Sequence, residues 1–283
     1  MFSTDLLREA VAPANYSYDL ERRPAVMSTA ADLRGRLAKP DFKAKPRGLP
    51  IREVMWETLK LTAGQTFTHP RYNPAIGIVE GLATIAGVSA VPYLAKVAPK
   101  TVAAGLFGDE TDYGVLLGNR LDTCIGELCV DRHSRRAVAF VGTNEDIGID
   151  NPCISMLQFV IRDNRLHVTV SLRSQDASLG LPHDVVVWTL VAQAMARCLQ
   201  AEIGNTWMRY TSLHVYESDY EYWNANFTDG DGKIGLADYL PKDWIGIKRW
   251  AEAALKKTPW AASADKTSWE RRPNGITYQF NSD

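Results

Sequence analysis

Residues 151–188 read NPCISMLQFVIRDNRLHVTVSLRSQDASLGLPHDVVVW. From Ser155 the apolar and polar residues alternate (SMLQFVIR), break at Asp163-Asn164, and alternate again (LHVTVSLRS), the pattern of a β-hairpin. A long helix is expected from about Val185 to Ala201; it is apolar on nearly every side and therefore central and buried. Another strand, near 206–217 (TWMRYTSLHVYE), follows it.

Upstream, residues 120–132 read as an amphipathic helix, leading through the charged turn Asp131-Arg132-His133-Ser134-Arg135-Arg136 into a strand at 137–142 (AVAFVG). Residues 51–64 (IREVMWETLKLTAG) have helical periodicity and stop at a glycine. Residues 73–96 form a second apolar helical stretch, opened by Asn-Pro and enclosing Glu80. The first fifty residues, with Pro13, Pro24, Pro40, Pro46 and Pro50, read as extended or turn-rich chain wrapping something larger. Residues 218–283 read as peripheral loops, a helix at 242–257 and a last strand near 276–280. No repeat or linker divides the chain, so residues 1–283 are expected to form a single domain. On pattern alone this is "α/β of some kind"; strands with a buried helix fit an α+β domain, one large mixed sheet carrying helices on one face.

Composition narrows the function classes. Lys+Arg at 32 against Asp+Glu at 33 leaves a formal net charge of -1, without the broad basic field that binds nucleic acid. No nucleic-acid partner is expected, and any phosphate must be gripped locally. The first residues lack a basic segment followed by an apolar one, and no apolar run is long enough for a membrane span. A cytoplasmic location with no membrane partner is the expectation. Cys124, Cys129, Cys153 and Cys198 are too few for a disulfide scaffold. Cys124 and Cys129 have no second ligand pair nearby and read as buried thiols, not a zinc site. The DGDGK at 229–233 lacks the later acidic residue of a calcium loop and reads as a turn. No metal is expected.

Cys153 stands beside Pro152 at a loop-to-strand junction. Arg173, across the expected hairpin, can lower its pKa and hold it as thiolate, a nucleophile; a buried structural cysteine is the alternative. Glu80, inside an apolar helix, is expected to have a raised pKa unless paired, which suits proton transfer; the alternative is a glutamate facing solvent.

Pro152-Cys153, Arg173-Ser174-x-Asp176, Leu179-Gly180-x-Pro182-x-Asp184 and His214-x-Tyr216 resemble, in type and spacing, the signature of the thymidylate synthases. The motifs lie in register without a gap. Thinner resemblance extends to Val79-Glu80-x-Leu82 and Asp131-x-x-Ser134-Arg135-Arg136, covering roughly 73–217. The resemblance implies that Cys153 adds to carbon 6 of a pyrimidine nucleoside monophosphate, making carbon 5 nucleophilic toward the methylene group of 5,10-methylenetetrahydrofolate. It implies a phosphate clamp of Arg173, Ser174, Arg135, Arg136 and Arg23, since guanidinium forks match phosphate oxygens. Asp176 and Gly180 join the substrate-binding set, and His214 and Tyr216, alternating along one strand, are assigned to the sugar hydroxyl. It also implies an obligate homodimer, with the back of the sheet as interface and the Arg135-Arg136 pair reaching the partner's site.

Two departures shift the expected substrate and product. The synthases carry asparagine where this chain has Asp184. Cytosine presents an amino donor and an N3 acceptor, so a carboxyl can accept from the amino group while sharing a proton with N3. An ionised Asp184 facing O4 of uracil would oppose two acceptors, at a cost of about 1–3 kcal/mol. With IRD at 161–163 and SLHVY at 212–216, Asp184 resembles the viral deoxycytidylate hydroxymethylases and related cytidylate enzymes; the competing reading is a helix N-cap before Val185. The second departure is that Thr101–Phe107 contains no tryptophan of the kind that covers the synthases' intermediate, so water can capture the methylene and leave a hydroxymethyl group. The family's tyrosine before a glycine is read as replaced by Leu117 before Gly118, and the C-terminal NSD does not match the usual apolar closing tail. The resulting reading is a dCMP or CMP 5-hydroxymethyltransferase using methylenetetrahydrofolate and water. A cytidylate 5-methyltransferase, a thymidylate synthase, and an inactive nucleotide- or RNA-binding homologue are its alternatives.

Overall fold

At Asp163 and Asn164 the backbone is left-handed at both residues (φ 49° and 58°), the geometry that turns a two-residue hairpin with the natural twist of its strands. The computed structural model describes residues 26–103, 112–142, 152–230, 234, 236 and 239–257, together with the backbone of 267–272 and 275–280. In chain order the strands that build the sheet are β1 (Val26–Met27), β2 (Phe42–Ala44), β3 (Ile51–Leu61), β4 (Phe67–Thr68, outside the main sheet), β5 (Val138–Phe140), β6 (Ile154–Arg162), β7 (Arg165–Leu172), β8 (Gln175–Asp176) and β9 (Glu202–Tyr216). The large sheet runs β1-β3-β9-β7-β6-β5, with β2 beside β3 and β8 beside β9. The β6–β7 and β3–β9 pairs are antiparallel while β7 and β8 run parallel to β9, so the sheet is mixed and the fold is α+β.

The parallel step from β7 to β9 requires a crossover, as parallel neighbours always do. A helix at Gly180–Cys198 supplies it. Val185, Val186, Val187, Trp188, Leu190, Val191, Ala194 and Met195 of this helix are all buried, matching its all-round apolar sequence. It starts at Gly180, five residues before the expected Val185, because Pro182 lies in the first turn, where a missing N–H costs nothing. Asp184 is therefore inside the helix and is not its N-cap.

A second helix, Pro74–Ala86, is capped by Asn73, whose side chain accepts from the Ala75 N–H at 3.1 Å, and ends at left-handed Gly87. Its Gly77 and Gly81 face the central helix at van der Waals contact. A Cβ on Gly77 would lie 2.8 Å from the His183 carbonyl oxygen, and one on Gly81 would lie 2.8 Å from Leu190 Cδ1. Bare backbone at these two positions brings Glu80, between them, up to the central helix. The remainder of the expected 73–96 helix is a separate one, Val91–Val97.

Three expectations are corrected. Residues 51–61 form a strand, not a helix, and pair with β9 along its length from Ile51↔Tyr216 to Leu61↔Thr206. The ladder skips Trp56, which takes φ 54° and is half exposed. That kink spaces the buried Ile51, Val54 and Glu57 three apart, which imitates helical periodicity; beyond it Leu59 and Leu61 return to alternation. Within the first fifty residues, Ala30–Ala38 is a regular helix with a capping box between Thr29 and Asp32, a signal the proline count obscured. Helix Trp244–Lys257 and strand Gly275–Phe280 fall near their expected places. Cys124 is buried, but Cys129 is exposed, contrary to the reading of both as buried thiols. No helix among the described residues is long and apolar enough to cross a membrane.

Candidate active site

Cys153 sits immediately before β6, and Arg173 immediately after β7, so the hairpin places them opposite one another. The Arg173 backbone N–H donates to the Cys153 carbonyl at 2.8 Å, and Arg173 Nε donates to the Pro152 carbonyl at 3.1 Å. This double clasp fixes the Pro152-Cys153 corner. Burial pushes the Cys153 thiol above its ordinary value; Arg173 pulls it down, Asp184 pushes it up, Arg47 pulls it down and Asp176 pushes it up. The expected help from Arg173 is present, but desolvation outweighs it, so the net shift is toward the thiol, against the lowering anticipated.

Glu80 is almost fully buried. Burial drives its carboxyl well above the usual carboxylate range, and the charges of Asp184 and Asp112 add to the shift. Asp112 is itself buried, its Oδ1 accepting from the Ala90 N–H at 3.2 Å. Asp184 keeps partial solvent access as a residue, but its carboxyl is enclosed by protein. That enclosure raises its pKa to about 7, against the opposing effect of a hydrogen bond from the Gln175 side chain. Near neutrality such a carboxyl is divided between acid and base forms, as a proton-sharing group needs to be.

Tyr113 completes this cluster and was missed in the sequence. Its ring packs edge-on to Trp188 at 5.6 Å between centroids. Burial raises its phenol far above the normal range, reinforced by the charges of Asp184, Cys153 and Glu80 and opposed by a hydrogen bond with the Ile154 backbone. Gly114 follows it because a Cβ there would lie 2.1 Å from the Val88 carbonyl oxygen. A tyrosine before a glycine does stand at the cluster, Tyr113-Gly114, whereas Leu117, read from the sequence as its replacement, is a buried core residue. The Tyr-Gly dipeptide beside buried Asp112 was the available signal.

At the other end of the site, β8 aligns Asp176 with His214 on β9. Asp176 Oδ1 accepts from the Ser178 N–H at 2.8 Å, and half-buried Ser174 lies between β7 and β8. The rings of His214 and Tyr216 meet at 90° and 5.4 Å, so the two do share a face. Burial, then the Arg47 charge, lowers His214 to about 4, which leaves it neutral at physiological pH. Arg47 is a second residue missed in the sequence. It takes left-handed backbone (φ 52°), hydrogen-bonds Tyr216, and its charge lowers the Cys153 thiol, so a guanidinium from before β3 acts on this site. Arg23, the cation expected from this part of the chain, lies outside the described residues.

Arg135 and Arg136 are exposed on the turn before β5. Arg136 Nε donates to Glu127 Oε1 at 2.9 Å, the same oxygen that accepts from the Ser134 hydroxyl at 2.6 Å. The charges acting on Cys153 come from Arg173, Arg47, Asp184 and Asp176, not from this pair. Of the stretch expected to lack a shielding tryptophan, Thr101–Ala103 ends a short helix and residues 104–107 lie outside the described residues, as does the NSD at 281–283.

The site therefore brings together the Cys153 thiol, four carboxyls (Glu80, Asp112, Asp176 and Asp184), the Tyr113 phenol and two guanidiniums, groups of the kind that covalent attack with proton transfer uses. Residues 112–231 match the family model described as thymidylate synthase. Residues matching this model hold Cys153, Tyr113, Asp184 and His214. Among curated proteins, the chain is 28% identical over 234 residues to the deoxyuridylate hydroxymethyltransferase of Bacillus phage SP01, covering 72% of this chain and 59% of that protein. It is 29% identical over 119 residues to a putative thymidylate synthase of Methanocaldococcus jannaschii (39% and 54%). It is 26% identical over 135 residues to the deoxycytidylate 5-hydroxymethyltransferase of Enterobacteria phage T4 (43% and 55%). The chain spans just over half the length of these three relatives.

Proposed function

We propose that this chain is a folate-dependent one-carbon transferase that hydroxymethylates carbon 5 of a cytidylate, dCMP or CMP. The observation that carries the reading is the convergence of Glu80, Tyr113 and Cys153 on Asp184, whose carboxyl titrates near 7. Cys153 gives up its thiol proton to solvent and bonds carbon 6 as the thiolate; the displaced C5=C6 electron pair moves through the ring toward N3, where the Asp184 proton neutralises it. Arg173 and Arg47, with Ser174, hold the phosphate; Arg47 takes the part expected of Arg23. Asp176, Gly180, His214 and Tyr216 line the nucleotide, neutral His214 and Tyr216 toward the sugar. Glu80, its carboxyl pushed toward the protonated form by burial, moves protons to and from the ring. Buried polar atoms without partners among the described residues, the Tyr210 hydroxyl, Gln175 Oε1 and His214 Nδ1, fit a polar heterocycle, since orphaned buried groups are costly. When bound, 5,10-methylenetetrahydrofolate supplies the methylene carbon.

The reading extends to a homodimer located in the cytoplasm. Exposed Arg135 and Arg136, absent from the charges around their own Cys153, would serve the partner's site. Their neighbours Val130 and Phe140 are exposed apolar side chains, which favours burial between copies.

The uracil base named for the phage SP01 relative makes deoxyuridylate the second reading. Incubation with dCMP, CMP or dUMP plus methylenetetrahydrofolate, followed by mass analysis of the nucleotide, separates the possibilities. A hydroxymethyl adduct on a cytidylate is expected; a methyl product, or turnover of dUMP alone, overturns the proposal.

A further inference from the structure

Gln175 belongs to the short strand β8 and is almost fully buried. Its amide reaches Asp184 across Gly180. A Cβ on Gly180 would lie 2.4 Å from Gln175 Nε2 and 3.9 Å from Asp184 Oδ2; the absence of a side chain at 180 is what leaves the amide its path. The Gln175 N–H donates to the Asp184 carboxyl, while Gln175 Oε1 is buried with no partner among the described residues. The Tyr210 hydroxyl, buried on β9 and electrostatically coupled to Asp184, is likewise unpartnered.

We propose that Gln175 is a specificity-determining residue for the base, orienting Asp184 with its N–H and offering Oε1 as a second acceptor beside it. A protonated carboxyl has one donating and one accepting oxygen, and nothing intrinsic decides which is which. An N–H bound to one oxygen favours that oxygen as the acceptor and confines the proton to the other. Asp184 then presents a fixed order of donor and acceptor. A 4-aminopyrimidine carries two N–H groups on its exocyclic nitrogen, enough for the Asp184 acceptor and for Gln175 Oε1. The O4 of uracil has no hydrogen and would face two acceptors. This inference rests on the nucleotide reading of the site and deepens it from one carboxyl to a carboxyl-amide pair.

The test compares wild type with Gln175→Met, which keeps length and loses both functions of the amide. Two readouts are taken on folded protein: the titration of the Asp184 carboxyl carbon by NMR, and the affinities for dCMP, CMP and dUMP by calorimetry. The Asp184 midpoint is expected to move upward from wild type, because a hydrogen bond to its ionised form is lost, and the cytidylate-over-dUMP affinity ratio to fall about tenfold or more. Gly180→Ala crowds the amide off its path and should move both readouts in the same direction, which keeps the test decisive if Gln175→Met does not fold. A wild-type protein that binds dUMP as well as the cytidylates overturns the cytidylate reading and the role toward the base with it. Selectivity in wild type that survives both variants, with an unmoved Asp184 titration, overturns the role of Gln175 alone.

Discussion

Gly81 and Leu190 meet so closely that a single added carbon on the glycine would lie 2.8 Å from Leu190 Cδ1. With the equivalent contact of Gly77, this approach delivers Glu80 to Asp184. Alanine at the two positions should not behave alike. At 81 the obstacle is the end of a flexible side chain, so Gly81→Ala is expected to cost about 1 kcal/mol; at 77 it is the His183 backbone carbonyl, and about 2–3 kcal/mol is expected for Gly77→Ala. Urea unfolding of both variants measures the order, and equal midpoints would refute it.

The Cys153 thiol should be slow to alkylate at neutral pH. Burial holds its pKa above the ordinary value while Arg173 and Arg47 work against that shift. The rate of iodoacetamide modification is therefore expected to rise with pH to a midpoint above that of an exposed cysteine. Replacing Arg47 by glutamine removes a lowering charge, so the midpoint should climb further; a fall would contradict the assigned electrostatics.

Asp184 makes stability depend on pH with a definite sign. Its pKa near 7 in the fold lies above the ordinary carboxyl value, so the native state holds a proton that the unfolded chain has released. Stability on this account is full below about pH 4 and is lost as pH rises through 7. Asp184→Asn abolishes the loss. The variant is expected to gain on wild type between pH 4 and pH 8, by up to about 4 kcal/mol, in melts run across that range. A gain that instead grows toward acid would reverse the sign and the explanation with it.

Tyr113→Phe removes one oxygen next to Cys153, Glu80 and Asp184. Because that phenol belongs to the reacting cluster and not to the phosphate grip, a drop of about 10²-fold in kcat is expected with nucleotide affinity little changed. Comparable losses in affinity alone would place Tyr113 in binding.

Much of this was legible before any coordinates. Asp163-Asn164 marks its own turn, because those two residues tolerate the backbone a tight hairpin requires, and the spacing from Cys153 to Tyr216 carries the resemblance to the thymidylate synthases. What stayed hidden depends on remote contacts. Only pairing with β9 reveals that Trp56 interrupts a strand and not a helix. Arg47 reads as one more charge in a proline-rich segment until the chain returns it to Tyr216. Tyr113 was overlooked because a residue's neighbours in space, Cys153 and Glu80, are distant from it along the chain. The central helix starts five residues before the expected Val185, since Pro182 is accommodated in its first turn, a position that apolar periodicity does not mark.

The two-residue turn at Asp163-Asn164 also bears on how the molecule assembles. It joins β6 to β7 by the shortest available loop, so the Cys153–Arg173 clasp closes with little loss of chain entropy. The β3–β9 ladder, by contrast, must recruit partners from opposite ends of the described chain. Contacts of short span form sooner than those that close large loops. The nucleophile's corner is thus expected to be among the earliest native features during folding, with Glu80 and Arg47 added to it as the sheet's far edge zips up.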